Sequence, residues 1–329
     1  MAADEAAPRP AEATGQPSGA HTRQGVWATR APRAPRALDD GSLLDCRDRW
    51  ERPAMALALA LVVLVVAALF QINDTVSTVL LAIIALWATT VVYQVLAEIK
   101  YLANGAEVTP TQCTYLYPLV EELRQRWEMP HTRVVVVFQP GLGVVSYGVK
   151  APYVIRVDSL YSRSLDDGEL RYVLGREMAH IKFGHTRWWA LLGGSDREVP
   201  SALAWLAKPR NVIFAWWRRT QRTSADRAGI LACGDVGKAI SALVKYQVGP
   251  AVAQQVSIAG LEQQAAELTH GWEHWGAFFA QALETDPFLL YRLRLMVEWA
   301  GLPETAMAPS PDSEATRPPA STDAVSPRA

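Results

Sequence analysis

Two uninterrupted apolar runs, AMALALALVVLVVAALF at 54–70 and TVLLAIIALWATTVVYQVLA at 78–97, stand apart from the mixed pattern of the rest of the chain. Neither carries a charge, and the polar turn Gln71-Ile72-Asn73-Asp74 separates them. A hydrocarbon core takes about 20 helical residues, so the pair predicts an N-terminal transmembrane helical hairpin over 54–98. A buried hairpin of a soluble protein is the alternative, but the apolarity is higher than a half-buried helix needs. A cleaved signal peptide fits worse, because the first run begins at residue 54 and a second follows at once.

Downstream, the pattern predicts a domain over 99–302, mainly α with a small antiparallel sheet. Thr109 to Trp127 puts Leu116, Leu119, Val120 and Leu123 on one stripe, an amphipathic helix capped near Thr109 or Thr111. Three β-type runs follow at 134–139, 144–149 and 153–158, divided by Pro140-Gly141 and Lys150-Ala151-Pro152. Asp166-Asp167-Gly168-Glu169 then has the spacing of a capping box. The helix it opens carries Leu170, Val173, Leu174, Glu177 and Ile181 on its inward stripe, so Glu177 is a carboxylate on an apolar face and asks for a partner. Residues 187–221 are Trp-rich and broken by charges and by Pro200 and Pro209. Trp188, Trp189, Trp205, Trp216 and Trp217 suit either a membrane interface or a core. Helices from Thr220, over KAISALVKY and through FLLYRLRLMVEWA complete the domain.

Composition trims this picture at both ends. Residues 1–53 and 303–329 are rich in Ala, Pro, Gly and Arg or Ser without apolar periodicity, and read as a disordered arm and tail. Arg36, Arg47, Arg49 and Arg52 precede the first apolar run and Lys100 follows the second, while the turn has no Lys or Arg. A multi-pass protein of the cell membrane, with both termini and the domain cytoplasmic, is the orientation this asymmetry predicts. The net charge of −1 says nothing about nucleic acid, but no basic patch lies among the aromatics, and no nucleic-acid partner is expected. Cys46, Cys113 and Cys233 lack metal-site spacing and read as reduced thiols.

The candidate chemistry sits in YVLGREMAHIKFGH, residues 172–185. In an H-E-x-x-H helix two His one turn apart hold zinc, and the Glu beside the first polarises the bound water. Here Glu177 and His180 stand in register, but Arg176 occupies the place of the first His. His185 follows five residues later, about 140° away on a straight helix, and reads as a cap or packing residue. His270-Gly271-Trp272-Glu273-His274 matches the inverted motif H-x-x-E-H, although Gly271 weakens the helix such a site needs.

The membrane hairpin, DDGELRYVLGREMAHIKFGH, TSADRAGILACGD and TDPFLLYRLRLMVEWA, taken in that order, resemble the HtpX and CAAX-prenyl-protease family of zinc metallopeptidases. The resemblance implies a zincin-like gluzincin domain (α+β) whose edge strand holds peptide substrate. It puts the general base at Glu177 and the second His ligand at His180. Asp226 takes the place of the carboxylate that orients the first His. The first His ligand and the later Glu ligand fall on Arg176 and Arg222, whose guanidiniums have no free lone pair. Gly143-Val144-Val145 stands where the substrate strand usually has Asn-Ala, and Asp286-Pro287 where His-Pro is common. The expected function is a membrane-anchored, non-catalytic homologue without a cofactor. Its partners are membrane lipid and unfolded or membrane polypeptides, or an active relative. The alternative is an active zinc metalloendopeptidase of membrane-protein quality control with a non-standard ligand set. If two guanidiniums replace the charge of the metal, Asp226 should meet Arg176 and Glu177 should meet Arg222.

Overall fold

The computed structural model describes residues 42–138, 143–192, 204–253 and 287–301, with isolated positions between 255 and 264. The tail from 303 and the inverted motif at 270–274 lie outside these residues, as does the arm before residue 42. From residue 42 on, that arm is part of the fold rather than a disordered segment. A short 3-10 turn, Leu43–Cys46, is capped by Ser42 and sets Leu43 and Cys46 into the main core.

The hairpin forms as α1 (Glu51–Phe70) and α2 (Asp74–Asn104), and the Asn73 side chain caps α2 by accepting from the Val76 amide. Among the described residues α1 is the one helix long and apolar enough, by length and composition, to cross a membrane. Its first turns, Ala54, Met55 and Ala58, are buried, while Leu61, Val63, Leu64 and Val65 are exposed.

The strands are β1 (Ala106–Glu107), β2 (Thr132–Val137), β3 (Val144–Tyr147) and β4 (Tyr153–Asp158), in the order β1-β2-β4-β3. The sheet is mixed, not purely antiparallel as expected, because β2 and β4 run parallel while β1 and β3 pair antiparallel with their neighbours. The reason lies in β4, which is buried at all six positions. A strand covered on both faces takes the centre, so β4 inserts between β2 and β3 instead of extending a meander. β3 is thereby left at the sheet edge.

The first domain helix, α3 (Tyr117–Arg126), buries Leu119, Val120 and Leu123 but starts later than the stripe suggested. Pro118 lies in its first turn, and the Thr109 hydroxyl caps a local turn at Gln112 instead. After α4 (Ser159–Ser164) comes α5 (Asp167–Lys182), with the full capping box between Asp166 and Glu169. Gly184, at φ +80°, turns the chain into α6 (His185–Leu191). α7 (Ala204–Cys233) begins well before Thr220 and runs through Pro209. α8 (Val236–Val248), α9 (Pro250–Ala253) and α10 (Leu289–Ala300) follow.

α5 is the centre of the domain, packed against α7, α8 and β3. Two glycines set its distance from α7. A Cβ on Gly175 would collide with Ala232, and one on Gly229 would lie 2.6 Å from the Tyr172 ring. Only glycine permits this approach, which lays the Arg176-Glu177 pair of α5 beside Asp226 of α7.

Candidate active site

Asp226 is the hub of the buried polar cluster. Its carboxylate accepts two hydrogen bonds from Arg292 of α10, Nε at 2.8 Å and Nη2 at 2.7 Å, and one from the Tyr172 hydroxyl at 3.0 Å. Arg176 Nε lies 3.2 Å from the same carboxylate, so the expected Asp226–Arg176 pairing is present. Burial pushes the Asp226 carboxyl up, but the charge and hydrogen bonds of Arg292, with Arg176 and Tyr172, outweigh it and hold the group ionised below its usual range. Burial likewise opposes the charge of Arg176, and Asp226, Tyr246 and Glu177 more than compensate. The guanidinium of Arg176 also lies over the Tyr246 ring, 5.1 Å from its centroid.

Glu177 meets different partners from those expected. Its Oε2 accepts from the Ser146 amide at 3.0 Å and the Ser146 hydroxyl at 2.9 Å, and Arg176 Nη1 lies 3.9 Å from Oε1. Arg222 is half-buried, its guanidinium 6.0 Å from the centroid of the Trp189 ring, and it is not the cation beside Glu177.

These contacts occupy part of the β3 edge. Gly143 carbonyl accepts from the Asp158 amide, and antiparallel pairing then alternates so that Val144 and Ser146 turn their backbone groups outward. The outward Ser146 amide is taken by Glu177, and the outward Val144 carbonyl accepts from the Tyr246 hydroxyl at 3.3 Å. Gly143, at φ +62°, has the Tyr246 ring 2.7 Å from where a Cβ would stand. Glycine at 143 and tyrosine at 246 are thus one packing solution.

His180 is fully buried, with Nδ1 2.8 Å from His185 Nδ1. His185 Nε2 in turn meets Glu51 of α1 at 2.9 Å. Burial first, then the charges of His185, Arg176, Arg222 and Arg292, drive the His180 pKa well below its usual value, so the ring is neutral. The 140° separation expected for His185 fails because α5 ends before it and Gly184 folds the chain back.

The sequence model of Peptidase family M48 matches residues 110–300, more than half of the chain. The chain belongs to peptidase family M48. It is 28% identical over 214 residues to the plastoglobule-localized metallopeptidase 48, chloroplastic, of Arabidopsis thaliana, covering 61% of each chain. It is 26% identical over 174 residues to a protease HtpX homolog of Moorella thermoacetica, covering 43% of this chain and 58% of the relative. The chain therefore spans less than two thirds of the length of these curated relatives. No solved structure matches.

Within this M48 domain the residues around Glu177 do not fit a zinc ion. Among the described residues no group of three His, Cys, Asp or Glu side chains is placed to hold a metal. His180 offers one nitrogen, Nε2, which has no hydrogen-bond partner among the described residues. Arg176 presents donors only, and the two nearby carboxylates are bound elsewhere, Asp226 to Arg292 and Glu177 to Ser146.

Sequence reasoning missed Arg292, Ser146, Tyr246 and Glu51. Of these, Glu51 carried a signal: a carboxylate at the mouth of an apolar run is costly unless paired.

Proposed function

We propose that this chain is a membrane-anchored M48 homologue that no longer hydrolyses peptides and acts by binding protein, either an unfolded or membrane polypeptide or an active relative. The observation that carries this reading is Arg176, buried 3.2 Å from Asp226 and 3.9 Å from Glu177, one residue ahead of that carboxylate on α5. In the family's motif order Arg176 and Arg222 stand at ligand positions, so cations occupy the surroundings in which a divalent cation would have to sit. A bound zinc acidifies and holds the attacking water; here Glu177 is instead a positioning residue that fastens the β3 edge to α5 through Ser146. With the outward Ser146 amide and Val144 carbonyl already bonded within the domain, a bound polypeptide does not use those two groups to extend the sheet. Asp226 keeps its place on α7 but orients Arg176 and Arg292 in place of a histidine.

Membrane anchoring through α1 and α2 belongs to the same reading. Its support is the charge-free run of α1 after Arg52 and the Arg-rich segment before it, the asymmetry expected of a chain whose termini and domain face the cytoplasm.

The test is metal content and proteolysis of the full-length protein. After purification with zinc present, the chain should retain far less than stoichiometric zinc and leave casein and unfolded membrane substrates uncut. Arg176→His with Arg222→Glu should raise zinc retention. Stoichiometric zinc in the unmodified chain, with chelator-sensitive cleavage lost in Glu177→Gln, would establish instead the alternative of an active endopeptidase. The unpartnered Nε2 of His180 is the feature that favours that alternative.

A further inference from the structure

α1 and α7 share a buried seam. Ala54, Met55 and Ala58 of α1 pack on Phe214 and Trp217 of α7, and Leu59, Val62 and Ile213 extend the same cluster. This seam conflicts with a domain that stands clear of a bilayer. α1 has 20 residues, about 30 Å at helical rise, which matches the hydrocarbon thickness only if the whole helix is used. Residues 63–70, the part beyond the seam, supply only about 12 Å. If α1 crosses, the stretch of α7 beside it lies at bilayer depth too.

The outer face of that stretch has the matching character. Val212 and Trp216, four apart on α7 and so on one face, are 51% and 40% exposed, although their neighbours Phe214 and Trp217 are buried. A helix segment apolar on both faces suits a lipid boundary better than water. Trp216 also pairs with Trp50 at 5.9 Å between ring centroids, just ahead of α1, and the guanidinium of Arg49 lies over the Trp50 ring at 5.5 Å. On the α2 side, α6 packs against the hairpin and exposes Trp188 and Leu191. Exposed Trp with exposed Arg49 and Arg52 at the mouth of an apolar helix is the composition of a headgroup layer contact. Those cations commit the surface to a leaflet with anionic headgroups.

We infer that Trp50, Trp188, Leu191, Val212 and Trp216 form a membrane-seated rim, which sinks the 212–217 stretch of α7 into the leaflet beside α1 so that the domain is wedged in the lipid surface. The inference rests on the proposed crossing by α1, and the experiment separates the two. Nitroxide labels are placed one at a time at V63C, V212C, W216C and D167C in the full chain, with its three native cysteines replaced. The protein is reconstituted in vesicles of phosphatidylethanolamine and phosphatidylglycerol. Asp167 opens α5, at the opposite end of that helix from α6, and serves as the water-exposed reference. Collision with oxygen relative to a water-soluble nickel complex should be several-fold higher at 212 and 216 than at 167, and highest at 63. A lipid-like signal at 63 with a water-like signal at 212 and 216 overturns the wedge alone. A water-like signal at 63 overturns the crossing, and the wedge with it. Low access to both reagents at 212 and 216 means protein covers this face, which also overturns the wedge.

Discussion

At the residue scale, the geometry around Asp226 resolves a charge problem in an unexpected way. A buried carboxylate facing a buried guanidinium is balanced only while every partner remains. Arg292, not Arg222, supplies the second cation. Removing it strands the Asp226 charge, so Arg292→Ala should cost about 3–5 kcal/mol, a drop in melting temperature on the order of 10 °C for a domain of this size. Arg171→Ala breaks a half-exposed pair with Glu122 and should change stability by less than about 1 kcal/mol. Thermal melts of the two variants check the contrast. Arg176 and Asp226 were legible in the chain because the metallopeptidase-like spacing marks both positions. Arg292 was not, since in LLYRLRLMVEWA it alternates with Arg294 and nothing local says which of the two turns inward.

At the element scale, α5 depends on its N-terminus. Asp166 accepts from the Glu169 amide, pairs with Lys238 of α8, and Glu169 reaches Lys245 and Ser241. Burial nudges the Asp166 carboxyl up, but the Lys238 hydrogen bond, the Glu169 amide and the lysine charges hold it below its usual value. A depressed folded pKa means this contribution is fully present above the unfolded value, near 3.8, and is lost as pH falls through the lower folded pKa. Asp166→Ala should destabilise by about 1 kcal/mol. Asp166→Asn keeps the cap and should chiefly flatten the acid limb of the stability profile, as urea titrations at stepped pH will measure. The cap was readable because all its parts lie within four residues. Sheet order and the start of α7 were not. The first is decided by which strand the helices cover, and the second by the packing of Ile213, Phe214 and Trp217 on α1, ahead of Thr220.

At the scale of the whole molecule, the hairpin and the domain are less separable than the composition suggested. Reporter fusions after residues 74 and 302 should label opposite sides of the membrane, and same-side labelling would remove the topology. The boundary at residue 53 reflected hydropathy alone, whereas packing places Leu43 and Cys46 in the domain core. The deeper tie is Glu51, whose carboxylate meets His185, accepts from Ser224 and pairs with Arg47, while Asp48 meets Arg227. His185 and Ser224 emerge from synthesis more than a hundred residues after Glu51 itself. Glu51 at the start of α1 is therefore enclosed only once α6 and α7 have been made. The apolar hairpin and the globular part are two stages of one assembly, and a chain shortened to begin after the hairpin would leave His185 and Ser224 facing a gap rather than a clean surface.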